Sequence, residues 1–178
     1  KEIDGVEVLP LHGMLGPDER DNALSGRKSG RVKRRVIVST NIAETSVTIP
    51  GIKIVVDSCR QRSVRFNPET GINEVGTEFV SQDQAEQRAG RAGRVSNGVC
   101  HRIITEEQFG GFREHPESEI KRKNLSSVVL QTKAMGIAPE EFPFIEPPES
   151  GAIEGAIKEL QALGALDKGR NLTKLGHE

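Results

Sequence analysis

Three side chains suited to gripping phosphate recur at helical spacing in the middle of the sequence. Gln87, Arg91 and Arg94 stand at i, i+4 and i+7 within the stretch 81–94, the repeat that lines up one face of an α-helix. Arginine is always charged and presents a planar fork that binds phosphate oxygens in pairs. Two such forks and an amide on one rigid face suit a triphosphate whose outer phosphoryl group is being transferred. Read alone, the same residues also fit a solvated, arginine-rich surface helix. Such a helix normally intersperses acids four residues away and has no use for Gly90 and Gly93. Each glycine costs about 1 kcal/mol in a helix interior, so the pair predicts a close backbone approach or an early helix end.

A second polar cluster, Thr40, Asn41, Ser46 and Thr48, lies upstream. Hydroxyls and amides suit neutral, sequence-blind contacts to a nucleic-acid backbone; by themselves they also fit a capped turn. The cluster sits between two apolar runs, 35–39 and 52–57, which read as strands of one parallel sheet covered on both faces. It would then leave the carboxyl end of a strand, where open α/β sheets bind their ligands. A turn of helix or less is expected around Glu44.

These groups must be positioned by the surrounding elements. Ser81 reads as the N-cap of the arginine helix. Ala85, Ala89 and Ala92 repeat on its opposite face, where methyl groups permit close packing on a sheet. Arg88 points about 100° away from Gln87 and reads as a structural ion pair with Glu44 or Asp57. Residues 6–11 form a short strand ending at His12 and Gly13. Residues 17–24 form a helix with proline and acids in its first turn. The glycine-rich basic stretch 25–35 reads as a loop, solvated or touching nucleic-acid phosphates. Residues 62–66 and 72–77 alternate around Asn67-Pro68-Glu69-Thr70-Gly71 as a β-hairpin, and 99–104 form a further strand. From Glu106 the pattern becomes helical. Residues 117–123 and 125–135 are periodic, with Leu125, Val128, Val129 and Thr132 on one face and Gly136 as a stop. Residues 142–148 read as an extended linker and 151–163 as a helix with Ile153, Ala156, Ile157 and Leu160 inward. Residues 164–167 and 172–176 read as the strands of a small wing.

The composition bounds the alternatives. The sequence has 178 residues, a net charge of −1, 29% charged residues and 3% aromatic residues, with no Trp or Tyr. Any basic surface is therefore local, and a base-stacking platform is not expected. No apolar run approaches the ~20 residues of a membrane span, and no signal-peptide pattern occurs. Cys59 and Cys100 lack metal-ligand spacing and are expected to fill buried strand positions of an intracellular protein. The sequence opens on Lys1 and so reads as a segment of something longer.

The stretch 87–94, Gln-Arg-Ala-Gly-Arg-Ala-Gly-Arg, resembles motif VI of the DEAH-box RNA helicases of superfamily 2. The stretch 39–49, Ser-Thr-Asn-Ile-Ala-Glu-Thr-Ser-Val-Thr-Ile, resembles their motif V, and Leu11-His12-Gly13 their motif IV. Three motifs in the family's order carry the resemblance across nearly the whole sequence. It implies a RecA-like α/β domain over residues 1–108, with a mainly parallel sheet and an inserted β-hairpin. A helical connector over 109–144 and the incomplete start of a winged helix over 145–178 would follow.

The resemblance also implies roles. Arg91 and Arg94 would be arginine fingers on the γ-phosphate of ATP, with Gln87 positioning that phosphate or the attacking water. Ser46 and Thr48 would face the nucleotide. His12, Gly13, Thr40 and Asn41 would hold single-stranded RNA by its backbone, and the hairpin would act as a wedge, unless it is a plain surface hairpin. Four positions depart from the family. Pro50 stands where many members carry a ribose-binding acid, and Ala23 and Leu24 where many carry a base-stacking aromatic, so any NTP should serve. Met14 replaces a small polar residue after His-Gly.

No Gly-x-x-x-x-Gly-Lys-Ser/Thr stretch occurs, since Gly26-Arg27-Lys28-Ser29 lacks the spacing, and no Asp-Glu-Ala-His occurs. The phosphate cradle and the Mg²⁺ site would belong to a first RecA-like domain, the expected partner of this one, alongside RNA and an activator protein. The rival class is a non-catalytic RNA-binding or adaptor module that retains a helicase-like surface.

Overall fold

The computed structural model describes residues 4–25, 34–68, 70–94, 96–149 and 151–177. The basic residues Arg27, Lys28, Arg31 and Lys33 of the expected loop, and Glu69 at the hairpin tip, lie outside the described residues. The chain divides into two compact units, Lys1–Gln61 with Thr77–Pro116, and Arg62–Gly76 with Glu117–Glu178.

The first unit is built on parallel strand pairs. β1 (Val6–Leu11) runs parallel to β2 (Arg34–Ser39), with Leu11 opposite Ser39. β3 (Ile54–Asp57) runs parallel to β6 (Val99–Arg102), with Asp57 opposite Arg102. Around them lie α1 (Pro17–Leu24), α2 (Ile42–Thr45), α3 (Gln82–Ala89) and α4 (Glu106–Gly110). Pro17 opens α1, Asp18 and Glu19 fill its first turn, and the Glu19 carboxylate accepts the Gly16 N–H at 3.3 Å. Leu11, Ala23 and Val47 form one core, with Leu9, Ile37, Ile42 and Ala43 packed against it. Cys59, Val80 and Ala85 form another beneath Ile104, Phe109 and Phe112.

The expected single sheet is corrected here. Residues 36–38 and 54–56 lie in different two-stranded sheets, and among the described residues β2 pairs only with β1 and β3 only with β6. Residues 40–53 are as long as a parallel crossover requires, but they hold only the four-residue α2 in place of a crossover helix. Nor are both strand faces covered: Val38 is 62% exposed and Val56 66%. Cys59 is fully buried, but in a turn at φ 54° between β3 and the next strand rather than within one.

The hairpin strands are β4 (Arg60–Asn67) and β5 (Ile72–Phe79). In the second unit the hairpin's outer part is tied to the segment after Pro116. The Phe66 N–H donates to the Arg122 carbonyl at 2.7 Å, and Arg65 pairs with Glu117. Residues 117–123 hold only a 3₁₀ turn, Glu119–Lys121, instead of the expected helix. α5 (Ser126–Ala134) and α6 (Ala152–Ala162) bury Leu125, Val129, Ala156, Ile157 and Leu160 in one core with Leu166. Gly136 at φ 76° ends α5, and the Ile137 N–H returns to the Thr132 carbonyl at 3.0 Å. The expected wing reduces to an isolated antiparallel bridge between Leu166 and Leu172, after which α7 (Lys174–His177) begins. No helix among the described residues is long and apolar enough to cross a membrane.

Candidate nucleotide and nucleic-acid site

The site grows out of the carboxyl ends of β1 and β2. Their parallel register sets Leu11 beside Ser39, and the Thr40 N–H donates to the Leu11 carbonyl at 3.1 Å. His12 and Gly13 leave one strand where Thr40 and Asn41 leave the other, so motif IV and the start of motif V share one edge. Thr40, Asn41 and Gly13 are exposed, and His12 is half-buried. The chain then turns into α2, with the Glu44 N–H donating to the Asn41 carbonyl at 2.9 Å. Ser46 and Thr48 are exposed just beyond it.

α3 brings the second half. Ser81 caps it as expected, accepting the Gln84 N–H at 3.2 Å while the Gln84 amide oxygen accepts the Ser81 N–H at 3.1 Å. A reciprocal cap of this kind is worth about 0.5–2 kcal/mol. Ala85 is fully buried and Ala92 2% exposed, so the small face is the inward one. The helix stops at Ala89, and tighter turns carry residues 90–93, with the Arg91, Ala92 and Gly93 N–H groups reaching the carbonyls three residues back. This corrects the single rigid helix face. Gln87 is exposed on α3, whereas Arg91 and Arg94 project from the turns after it.

Of the two explanations offered for Gly90 and Gly93, the early helix end holds, at Gly90. A Cβ on Gly93 would meet nothing within 4 Å, and the close backbone approach falls on another glycine. A Cβ on Gly98 would stand 2.1 Å from the Ala92 carbonyl oxygen, a separation no real Cβ adopts. Gly98 therefore fits the turn after α3 against the start of β6.

The three arginines divide by partner. Arg88 is the structural one. Its Nε donates to Glu44 Oε2 at 2.9 Å, and its Nη1 to Asp57 Oδ1 at 3.0 Å and the Arg60 carbonyl at 3.2 Å. All three ion-pair members are largely buried, at 14%, 9% and 4% side-chain exposure. Burial works to lower the Arg88 pKa, but the hydrogen bonds and charges of Glu44 and Asp57 outweigh it and hold it above its ordinary value. Gln84 joins this cluster, donating to Glu44 at 3.3 Å and to Gln61 at 3.1 Å.

Arg91 and Arg94 behave differently. Arg91 donates to the carbonyls of Glu44 and, at 3.1 Å, Val47, and Arg94 donates to the Thr48 hydroxyl. Among the described residues neither has a carboxylate within ion-pair distance, whereas Arg88 has two. Desolvation and the neighbouring Arg94 charge push the Arg91 pKa below its ordinary value. Two guanidinium groups that repel each other, held by neutral oxygens, form a positive locus suited to an anion. Residues 44–48 and the turn after α3 thus meet directly.

Sequence reasoning missed the Gly98 approach and the double use of Glu44. The first hides in a Ser-Asn-Gly stretch that reads as an ordinary turn. The second had one signal, a lone acid in a run of neutral residues. Burial first, then the Asp57 charge, push the Cys59 thiol up to about 11. No His, Cys, Asp and Glu cluster that could hold a metal occurs among the described residues.

Residues 1–96 match the model of the helicase conserved C-terminal domain, and residues 156–178 that of the winged-helix helicase-associated domain HA2. The chain is 44% identical over 170 residues to the mouse probable ATP-dependent RNA helicase DHX34, covering 95% of this chain and 15% of that protein. It is 39% identical over 162 residues to the Escherichia coli ATP-dependent RNA helicase HrpA, covering 90% of this chain and 12% of that protein. The crystal structure of the E. coli DExH-box NTPase HrpB superposes with a TM-score of 0.86 at 36% identity, covering 96% of this chain and 21% of that one. The chain thus spans 12–15% of the length of these two relatives. With its parallel strand pairs and its joined motifs IV, V and VI, the chain belongs to the helicase conserved C-terminal domain family and forms the C-terminal core region of a DEAH-box superfamily 2 helicase.

Proposed function

We propose that this region supplies one half of the ATP site and part of the RNA path of an ATP-dependent RNA helicase. The observation that carries the reading is the contrast among three neighbouring arginines. Arg88 is neutralised by two carboxylates, while Arg91 and Arg94 are held by neutral oxygens beside the motif V loop. In this reading Arg91 and Arg94 stabilise charge on the γ-phosphoryl oxygens. Gln87 orients the phosphate or the attacking water, and Ser46 and Thr48 face the nucleotide. Thr40, Asn41, His12 and Gly13 hold single-stranded RNA by its backbone, with affinity that falls as salt rises. Mg²⁺ and the phosphate cradle belong to the first RecA-like domain, and ATP is exchangeable with other NTPs because Pro50 and Leu24 offer neither ribose nor base contacts. Residues 1–108 act as the second RecA-like domain, 109–144 as the connector and 145–178 as the start of the winged helix, in an intracellular protein open to an activator.

The test is ATP hydrolysis by the full-length protein with and without single-stranded RNA, beside residues 1–178 alone. The reading expects RNA-stimulated hydrolysis by the former and none by the latter. Full-length protein that binds RNA but never hydrolyses ATP would favour the adaptor class instead.

A further inference from the structure

We propose that Glu44 is the positioning residue through which the RNA-facing start of motif V governs the Arg91 finger. The inference rests on the helicase reading above and adds to it a residue with no contact to either ligand.

Glu44 is 8% exposed and is bonded in three directions. Its N–H donates to the Asn41 carbonyl at 2.9 Å, and the preceding Ala43 N–H to the Thr40 carbonyl at 3.4 Å. Its carboxylate accepts from Arg88 Nε at 2.9 Å and Gln84 Nε2 at 3.3 Å. Its own carbonyl accepts from Arg91. One residue therefore joins the backbone of Thr40 and Asn41, the buried anchor of α3 and the finger itself.

α2 has four residues, too few to hold a position through its own hydrogen bonds. Its place is set by what it binds, namely Ile42 and Ala43 against the Leu11 core and Glu44 against Arg88. Phosphates bound at Thr40 and Asn41 would shift or tighten this turn, and the shift would reach Arg91 through the Glu44 carbonyl within a few bonds. The other side of the lever stays fixed. Arg88 is also held by Asp57 Oδ1, at the end of β3, and by the Arg60 carbonyl, at the start of β4, both outside the motif V turn. Asp57 is thus a matched comparison: it belongs to the same buried ion cluster, but among the described residues it makes no hydrogen bond to α2 or to Arg91.

In a purely structural ion cluster, loss of either carboxylate lowers stability and leaves the ratio of RNA-stimulated to basal hydrolysis unchanged. Loss of a coupling residue appears in the response to RNA rather than in chemistry as such. The experiment compares Glu44→Gln and Asp57→Asn in the full-length protein. It measures ATP hydrolysis with and without single-stranded RNA, the KM for ATP, and RNA affinity with and without a non-hydrolysable ATP analogue. For Glu44→Gln we expect basal turnover and KM within about threefold of the unaltered protein, an RNA-stimulated rate down about tenfold or more, and loss of the analogue's effect on RNA affinity. For Asp57→Asn we expect a lower unfolding midpoint with the RNA response preserved. Should Glu44→Gln fail to fold, Glu44→Asp keeps the charge, shortens the reach by one methylene, and is judged by the same ratio. Basal and stimulated rates falling by the same factor, or Asp57→Asn losing the RNA response equally, would overturn the inference. An unaltered protein with no RNA stimulation would instead overturn the helicase reading beneath it.

Discussion

Arg88→Ala is the perturbation that the packing constrains most tightly. The substitution leaves the carboxylates of Glu44 and Asp57, whose side chains are 9% and 4% exposed, without their cation. Among the described residues, Asp57 would keep the Cys59 N–H at 2.9 Å and Glu44 only Gln84 at 3.3 Å, and Asp57 Oδ2 is already buried with no hydrogen-bond partner among them. Breaking a buried ion pair by removing one member costs about 3–5 kcal/mol, a large fraction of the roughly 5–15 kcal/mol that a domain has. With a urea slope of about 2 kcal/mol per molar, the midpoint should fall by about 1.5–2.5 M. The assay is urea unfolding followed by circular dichroism. Glu119→Gln serves as the comparison, because Glu119 pairs with Arg122 and Lys123 while its side chain is 64% exposed. Such surface pairs are worth about 0–1 kcal/mol, so its midpoint should barely move. An Arg88→Ala shift no larger than that of Glu119→Gln would refute the reasoning that the buried cluster holds motifs V and VI together.

Two further outcomes follow from the geometry. Gly98→Ala drives a Cβ to 2.1 Å from the Ala92 carbonyl, so the finger turn must shift; RNA-stimulated ATP hydrolysis should fall about tenfold or more with far-ultraviolet circular dichroism unchanged, and an undiminished rate would show that the turn tolerates displacement. His115 Nδ1 lies 2.5 Å from Asp83 Oδ2, and that hydrogen bond and charge raise its pKa. A raised folded pKa means the contact is fully present at low pH and is lost as pH rises through that value. NMR titration should give a His115 midpoint above the ordinary histidine value, returning to it in Asp83→Asn; no difference between the two would remove the pair.

Much of the site was legible because local chemistry and tertiary need agree there. Ser81 and the small residues Ala85 and Ala92 located the helix and its inward side, and Arg88 met both acids proposed for it; the spacing of Gln87, Arg91 and Arg94 implied one helix face, whereas the helix ends at Ala89 and both arginines follow it. The glycines posed a choice that sequence could not make, since a helix stop and a close approach leave the same residue type; Gly90 gives the stop, and the approach falls on Gly98, outside the motif. Strand pairing was illegible for a different reason. Apolar runs such as 36–38 and 54–56 report burial potential but not neighbours, and hydrogen-bonding partners are fixed by tertiary packing. The 117–123 stretch has helical periodicity, yet only a 3₁₀ turn forms where the Arg122 carbonyl is taken by the hairpin residue Phe66. In the tail, Leu166 and Leu172 pair, but Lys174–His177 turns helical, because alternation over so few residues cannot separate a strand from a helix start.

The central claim is that Arg91 and Arg94 serve phosphates, whereas Arg88 serves the fold. Steady-state ATP hydrolysis of Arg91→Ala and Arg94→Ala in the full-length protein, with nucleotide affinity and circular dichroism measured alongside, tests it most directly. Fingers of this kind are worth about 10³–10⁵ in turnover, so RNA-stimulated hydrolysis should disappear while folding stays intact and nucleotide affinity changes far less; lysine at either position should rescue poorly, since a point charge cannot reproduce the fork. Hydrolysis surviving within about tenfold in both variants would show that these arginines merely tie the turn to motif V, and would contradict the account.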